Sequence, residues 1–392
     1  MRKRNSLSTM GLLLAASTMM IARPAIATEP TAAAGQREEF TTADRQLRAE
    51  GWEFVGDVTR TPALPREGEA MVVLGDNRGY RRVGLPSDRA SAGSPGVPGS
   101  ARPNAQRTAA GRSGNKDNVE PSQPTPLDDI LVAPTNPVGV QLGPTDDRKL
   151  VTTSLDTHPL RTIGSLSSNP NGGTGCTGTL VGPRHVITAA HCLYNQEGVW
   201  ASSLYFNPGQ AGATGTNGPP RRMVARYART FSLAWDYGLV ILEDDPNTAK
   251  LGWMGMAWSS VDAYDGVAVQ NHGYPGSDQD CAASPLENGT CGGFMYSDNC
   301  NVQEATDGYL MYDCDTSRGH SGSAVWRTSN GKHFVMAIHK RGNEPASGAV
   351  VTSDPATLNI GARMRPAMFN DICGWMSNPK WVSKYATHPC AP

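Results

Sequence analysis

Three places in this sequence concentrate side chains capable of covalent chemistry. The first is the run Asp315-Thr316-Ser317-Arg318-Gly319-His320-Ser321-Gly322-Ser323. A serine flanked by glycines lets successive backbone N–H groups converge on one point. The amides of Gly319 and Ser321 are therefore candidates for an oxyanion hole. Alone the pattern is weak, because glycine and serine are the commonest loop residues. A serine hydroxyl becomes a useful nucleophile only when a base takes its proton. The rest of the chain has to supply that base and a carboxylate to orient it.

The base is expected in Thr188-Ala189-Ala190-His191-Cys192, downstream of Cys176-Thr177-Gly178-Thr179-Leu180-Val181-Gly182-Pro183. A bridge from Cys176 to Cys192 would staple the histidine's loop to the preceding strand and fix the imidazole, as a general base requires. The carboxylate is expected in Ala234-Trp235-Asp236-Tyr237-Gly238-Leu239-Val240-Ile241-Leu242. Asp236 stands just before a continuous apolar run, where an acid is partly buried and oriented. An aspartate at a strand start is usually a turn residue, but the order His191, Asp236, Ser321 gives it a partner at each end of the reaction.

These residues need rigid elements to hold them. From about Leu142 onward, short apolar runs alternate with Gly, Pro and Asn. Strands are predicted at Thr179–Val181, Val186–Thr188, Leu204–Phe206, Met223–Tyr227, Leu239–Leu242, Val267–Asn271, Tyr309–Tyr312, Ala324–Trp326 and Phe334–Ile338. Many short strands with turn signals between them indicate an all-β sandwich or a pair of barrels. Helix is expected near the C-terminus, about Pro366 to Ser377. The 43 Gly and 29 Pro also suit a loop-rich β protein. A net charge of -1 provides no global field for nucleic acid or an anionic membrane.

Upstream the texture differs. Arg2, Lys3 and Arg4 precede an apolar run from Met10 to Ala22 and the small-x-small site Ala25-Ile26-Ala27. This reads as a secretory signal over residues 1–27, too short in its apolar part to span a bilayer comfortably. The protein is then extracellular, or periplasmic in transit, without a membrane once the signal is removed. Residues 28–85 are expected to be a pro-region. A short helix at Thr41–Arg48 and strand-like runs at Trp52–Val55 and Met71–Leu74 give it a thin core. Residues 86–140 are rich in Ser, Gly, Pro, Ala and Asn and read as a flexible linker containing the maturation site. The mature N-terminus is expected between Ile130 and Thr145, at the head of a domain spanning 141–392.

Cys-x-Gly-Thr-Leu-Val, Thr-Ala-Ala-His-Cys, Asp-Tyr-Gly-Leu-Val-Ile-Leu and Gly-His-Ser-Gly-Ser, in that order, resemble the chymotrypsin-like serine endopeptidases over roughly residues 145 to 380. The resemblance implies two packed six-stranded antiparallel β-barrels with the site in the cleft between them. It implies Ser321 as nucleophile, His191 as base and then acid, and Asp236 as the orienter. Peptide bonds would be hydrolysed through an acyl-enzyme, with no metal or organic cofactor. A closer resemblance is to the bacterial glutamyl endopeptidases, carried by Tyr312-Asp313-Cys314-Asp315-Thr316, Gly319, Ser321-Gly322-Ser323, Ala337-Ile338-His339 and Gly348-Ala349-Val350. It implies that Thr316 and His339 contact a substrate Glu carboxylate.

Two departures stand against a simple transfer. His320 precedes the nucleophile where the animal digestive enzymes carry an acid, so activation has to differ, and His320 is expected to be structural. Asp315 lies at the offset that gives trypsin its preference for Lys and Arg, and a buried carboxylate there would repel Glu. Preference for Glu is the leading expectation, with trypsin-like cleavage after Lys or Arg as its alternative. An inactive protease-fold binding protein and an esterase or transacylase with the same triad are the rivals outside the class. Lys340 and Arg341 read as ordinary surface charge. Eight cysteines in an exported chain permit four bridges. Beyond Cys176–Cys192, the expected pairs are Cys281–Cys291, Cys300–Cys314 and Cys373–Cys390. Metal binding lacks any Cys-x-x-Cys spacing. The partners are protein or peptide substrates, and the expected state is a monomer.

Overall fold

A computed structural model describes residues 42–58, 63–65, 69–82, 148–170, 175–195, 197–212, 214–215, 217–230, 233–276, 292–341 and 358–390. The strands in chain order are β1 (Glu53–Asp57), β2 (Ala70–Leu74), β3 (Arg78–Arg82), β4 (Lys149–Leu150), β5 (Ile163–Ser167), β6 (Cys176–Gly182), β7 (His185–Thr188), β8 (Tyr205–Pro208), β9 (Gln210–Ala211) and β10 (Thr214–Gly215). They continue as β11 (Arg221–Ala228), β12 (Gly238–Leu242), β13 (Gly255–Met256), β14 (Ala268–Gly273), β15 (Tyr296–Ala305), β16 (Tyr309–Tyr312), β17 (Ala324–Ser329), β18 (Lys332–Arg341) and β19 (Asn359–Arg363). The α-helices are α1 (Thr42–Ala49), α2 (Pro246–Lys250) and α3 (Pro366–Met376).

The pairings close two antiparallel barrels of six strands. The first runs β11-β12-β7-β6-β5-β8 and returns to β11; the second runs β18-β17-β14-β15-β16-β19 and returns to β18. Closure leaves few free edges, which is how an all-β chain hides its unpaired backbone groups. The run Gly238-Leu-Val-Ile-Leu242 is buried at every position, since β12 has the barrel interior on one side and packed chain on the other. The C-terminal helix α3 begins at a proline in its first turn, the helical position that tolerates a missing N–H. Its buried Met368, Phe369, Ile372 and Trp375 share a core cluster with Ile187, Leu239 and Ile241.

The predicted strands all have counterparts, and three further barrel strands escaped sequence reading. β15 is the instructive one. Its sequence Tyr-Ser-Asp-Asn-Cys-Asn-Val-Gln-Glu-Ala lacks an apolar run, yet Asp298, Cys300, Asn301 and Val302 are all buried. Their polar atoms are satisfied locally: Asp298 accepts the amides of Asn299 and Asp315, and Asp313 accepts that of Asn301.

The upstream segment does not build a core of its own. β2 pairs antiparallel with β11, and β3 and β1 follow it outward on the same sheet. Trp52, Val72 and Tyr80 join the core cluster that includes Tyr227 and Trp375. Among the described residues no helix is long and apolar enough to cross a membrane. The signal segment, the linker and the span expected to hold the mature N-terminus lie outside the described residues.

Candidate active site

β7 and β12 are antiparallel neighbours, with Gly238 opposite Thr188. The residue groups just past the end of β7 and just before the start of β12 therefore meet at one end of the first barrel. His191 sits there in a 3-10 turn, Ala190–Cys192, and Asp236 follows another, Leu233–Trp235. The two are bonded twice. His191 Nδ1 lies 2.8 Å from Asp236 Oδ2, and the His191 amide donates to Asp236 Oδ1 at 3.0 Å. Asp236 is fully buried while the His191 side chain is 31% exposed. Burial opposes the charge on Asp236, but the hydrogen bond and charge of His191, and then the ammonium of Lys340, outweigh it. They hold the carboxyl below its ordinary range.

Ser321 lies on the turn between β16 and β17. Gly319 and Gly322 have φ of +97° and +85°, a region that favours glycine. A Cβ on Gly319 would sit 2.2 Å from Tyr274 O, and one on Gly322 would sit 2.1 Å from Thr188 Oγ1. The turn's amides divide into two sets. His320 N donates to Ser317 O, Gly322 N to His339 O and Ser323 N to His320 O. Among the described residues, the intervening amides of Gly319 and Ser321 donate to nothing. In the resting arrangement the Ser321 hydroxyl donates to Lys340 O at 3.4 Å.

Thr177 on β6 joins the two barrels at this point. Its amide donates to Ser321 O at 2.8 Å, its hydroxyl donates to Gly319 O at 2.8 Å, and the same Oγ1 accepts the Tyr274 amide at 3.0 Å. Thr188 Oγ1 in turn donates to Thr177 O. Thus β6, paired with the strand that leads into the histidine loop, clamps the serine turn directly. The Cys176–Cys192 bridge staples the same loop, as expected. Cys300–Cys314 and Cys373–Cys390 are also formed, whereas Cys281 and Cys291 lie outside the described residues.

The residues expected to read the substrate sit on the second barrel. Adjacent strands β16, β19 and β18 place Tyr312 opposite Asn359 and Gly361 opposite His339. The Thr316 hydroxyl donates to Asn359 Oδ1 at 2.7 Å, and the Asn359 amide group donates to Cys314 O. Tyr312 Oη lies 2.5 Å from His339 Nδ1. Burial pushes the Tyr312 hydroxyl well above its usual range, so it keeps its proton and can donate it to Nδ1. Burial, and then the nearby His191, lower His339 to about 3, which keeps the imidazole neutral. In the tautomer that accepts the Tyr312 hydrogen at Nδ1, Nε2 carries the imidazole hydrogen and is the donor. Asp315 is half-buried, with its amide on Asp298 Oδ2 at 2.6 Å.

Sequence reading missed several participants. Asn359 lies far down the chain in no motif, and only the β16–β19 register brings it to Thr316. Lys340 is not ordinary surface charge. Its side chain is 13% exposed and Nζ lies 3.3 Å from Asp236 Oδ2. The expectation for Arg341 holds, since it is exposed. His320 is buried against Gly273, with Nδ1 3.1 Å from Asn271 Oδ1, which suits a structural part. Gly348-Ala349-Val350 lies outside the described residues. Among the described residues, one group of potential metal ligands converges, namely Cys176, His191 and Cys192. Its two sulfurs are joined to each other, so they are not the thiolates a metal would need.

Residues 176–337 match the trypsin-like peptidase domain. A curated relative from Bacillus subtilis (strain 168), named extracellular metalloprotease, is 30% identical over 59% of this chain and 68% of its own length. The chain belongs to the trypsin-like serine endopeptidases. Bacillus licheniformis glutamyl endopeptidase is 26% identical, again over 59% of this chain and 68% of its own. A solved Glu endopeptidase with bound MPD is 21% identical and covers 59% of this chain and 96% of that one, at a TM-score of 0.47. Membership in this family makes the chain an enzyme that hydrolyses peptide bonds in proteins or peptides. The word metalloprotease belongs to the Bacillus subtilis relative alone.

Proposed function

We propose that this chain is a secreted serine endopeptidase that cleaves after Glu, using Ser321, His191 and Asp236. The doubly bonded His191–Asp236 pair beside a turn with two unengaged amides carries the reading. Substrate binding displaces the Ser321 hydroxyl from Lys340 O, and His191 Nε2 accepts its proton as Oγ attacks the scissile carbonyl. The amides of Gly319 and Ser321 hold the oxyanion. His191 then gives the proton to the leaving amine, and water, activated by the same imidazole, releases the acid product and frees Ser321. Asp236 holds the tautomer and stabilises the imidazolium.

Preference for Glu is supported by the Tyr312–His339 pair, which leaves Nε2 to face a carboxylate, and by Thr316, whose hydroxyl reaches that carboxylate once it turns from Asn359 Oδ1. The second reading is cleavage after Lys or Arg. It draws on Asp315 and on the Asp298 carboxylate that holds its amide. Export is supported by the basic and apolar N-terminal sequence and by the disulfides. Turnover of peptides that differ only in Glu, Asp, Lys, Arg or Phe before the scissile bond tests the assignment. Hydrolysis after Glu is expected. Hydrolysis confined to Lys and Arg would transfer specificity to Asp315, and no hydrolysis together with no organophosphonate labelling of Ser321 would favour a binding protein.

A further inference from the structure

The segment Thr42–Arg82 is built into the first barrel rather than laid upon it. β8 covers the outer edge of β11 only at Arg221 and Arg222. Beyond that point β2 takes the same edge, pairing Leu74, Val73, Val72 and Met71 with Ala225, Arg226, Tyr227 and Ala228. All five residues of β2 are buried. Their alternation feeds both cores of this half of the molecule: Val72 and Leu74 pack with Ile187 and Leu239, and Met71 and Val73 pack with Val186 and Val240. Tyr227 has the ring of Trp52 at 5.9 Å on one side and that of Trp375 at 5.3 Å on the other.

The polar contacts are equally interior. Fully buried Asp44 receives Tyr80 and Arg78 within the segment. Fully buried Arg226 reaches Asn77 Oδ1 at 3.3 Å, and the indole N–H of Trp200 donates to Ala63 O at 2.8 Å. One of these links leads toward the catalytic groups. Arg229 Nη1 donates to Glu69 O at 3.2 Å, while its Nε donates to Asp371 Oδ2, which also accepts the hydroxyl of Tyr237 at 2.6 Å. Tyr237 is the residue next to Asp236. Loss of the segment would expose an apolar strand edge, take one acceptor each from the buried Arg226 and Arg229, and loosen the anchor beside the catalytic carboxylate.

We propose that Thr42–Arg82 stays in the mature enzyme after the linker is cut, as a non-covalently held chain that completes the first barrel, instead of leaving as a discarded pro-segment. This rests on maturation within residues 86–140, and the test separates the two. Full-length protein carrying Ser321→Ala, so that it cannot cut itself, receives a recognition sequence for an unrelated protease between Ser100 and Ala101. After complete cutting it is followed by gel filtration and native mass spectrometry. The expected result is one species containing both fragments in equal number, which part only in denaturant. With Ser321 intact, the cut protein should hydrolyse peptides with both fragments still together. Separation or precipitation on cutting would overturn the proposal. So would active, naturally secreted enzyme that contains no residue between 42 and 82. The mass readout needs no catalysis, so a protein that holds its fragments yet hydrolyses nothing refutes only the peptidase assignment.

Discussion

The two barrels meet at the serine turn, and they do different work there. The first supplies His191 and Asp236 from the ends of two paired strands, locked by two hydrogen bonds and a disulfide. These contacts connect groups close in sequence or on neighbouring strands. The second supplies the candidate reading residues Thr316 and His339, each held through a partner from a different strand. Proton transfer requires one fixed geometry, which short-range anchoring provides. Recognition requires donors whose direction and charge state are set by their surroundings, which only a network across strands provides. The difference explains why the proposed catalytic half follows family motifs while the proposed pocket half combines Thr316 and His339 with the opposing signal of Asp315.

The largest effect should come from the first barrel. Asp236→Asn keeps the shape but removes the charge proposed to orient and stabilise the imidazolium. It should lower kcat/KM about ten-thousand-fold for every peptide, with thermal unfolding showing that the protein still folds. A loss below tenfold would mean that this half does not hold the base. Next comes the pocket. Tyr312→Phe removes the hydroxyl bonded to His339 Nδ1 and leaves a buried nitrogen without its partner. Cleavage after Glu should fall about 10- to 100-fold, the range for one buried hydrogen bond. Organophosphonate labelling of Ser321 should stay within about twofold. Parallel losses in both measurements would erase the division of labour.

A further expected effect is a stability difference between the barrels in mild acid. Burial lowers His272 to about 4 and His339 to about 3, and it drives His320 well below its ordinary value, all in the second barrel. In the first barrel, burial lowers His185 to about 3. Each of these is neutral in the folded chain and gains a proton near pH 6.5 when unfolded. The unfolded state thus binds more protons as pH falls below about 6.5, and stability drops with it, by about 1.4 kcal/mol per pH unit for each imidazole. The loss continues to about pH 4 for His272 and about pH 3 for His339. Hydrogen exchange at pH 7 and pH 5, corrected for intrinsic rates, should show β14, β17 and β18 losing more protection than β6, β7 and β12. Equal loss in both sets would count against a barrel-specific response.

Much of the fold could be read from the sequence where burial imposed a pattern. β12 is a continuous apolar run because both its faces are covered, and α3 announces itself by a proline at its start and apolar residues behind it. β15 was not readable, since its buried positions include Asp298 and Asn301, which are satisfied by hydrogen bonds rather than by apolar neighbours. The upstream segment was readable as strands but not as part of the barrel. Its pairing depends on how much of the β11 edge β8 leaves uncovered, and no local pattern records that.

What the sequence determined by itself was the chemistry on offer: a serine between glycines that alone fit their positive-φ positions, a histidine tied to a cysteine, and an aspartate heading a buried strand. Those properties are local, because conformational preference and strand burial are written in a few consecutive residues. The tertiary structure decided what those residues face. It set Lys340 against Asp236, Asn359 against Thr316, Tyr312 against His339, and Val72 against the open edge of β11. Such contacts join positions far apart in the chain. They are fixed by strand register and barrel closure, and a shift of one residue in either would turn the same side chains to the opposite face.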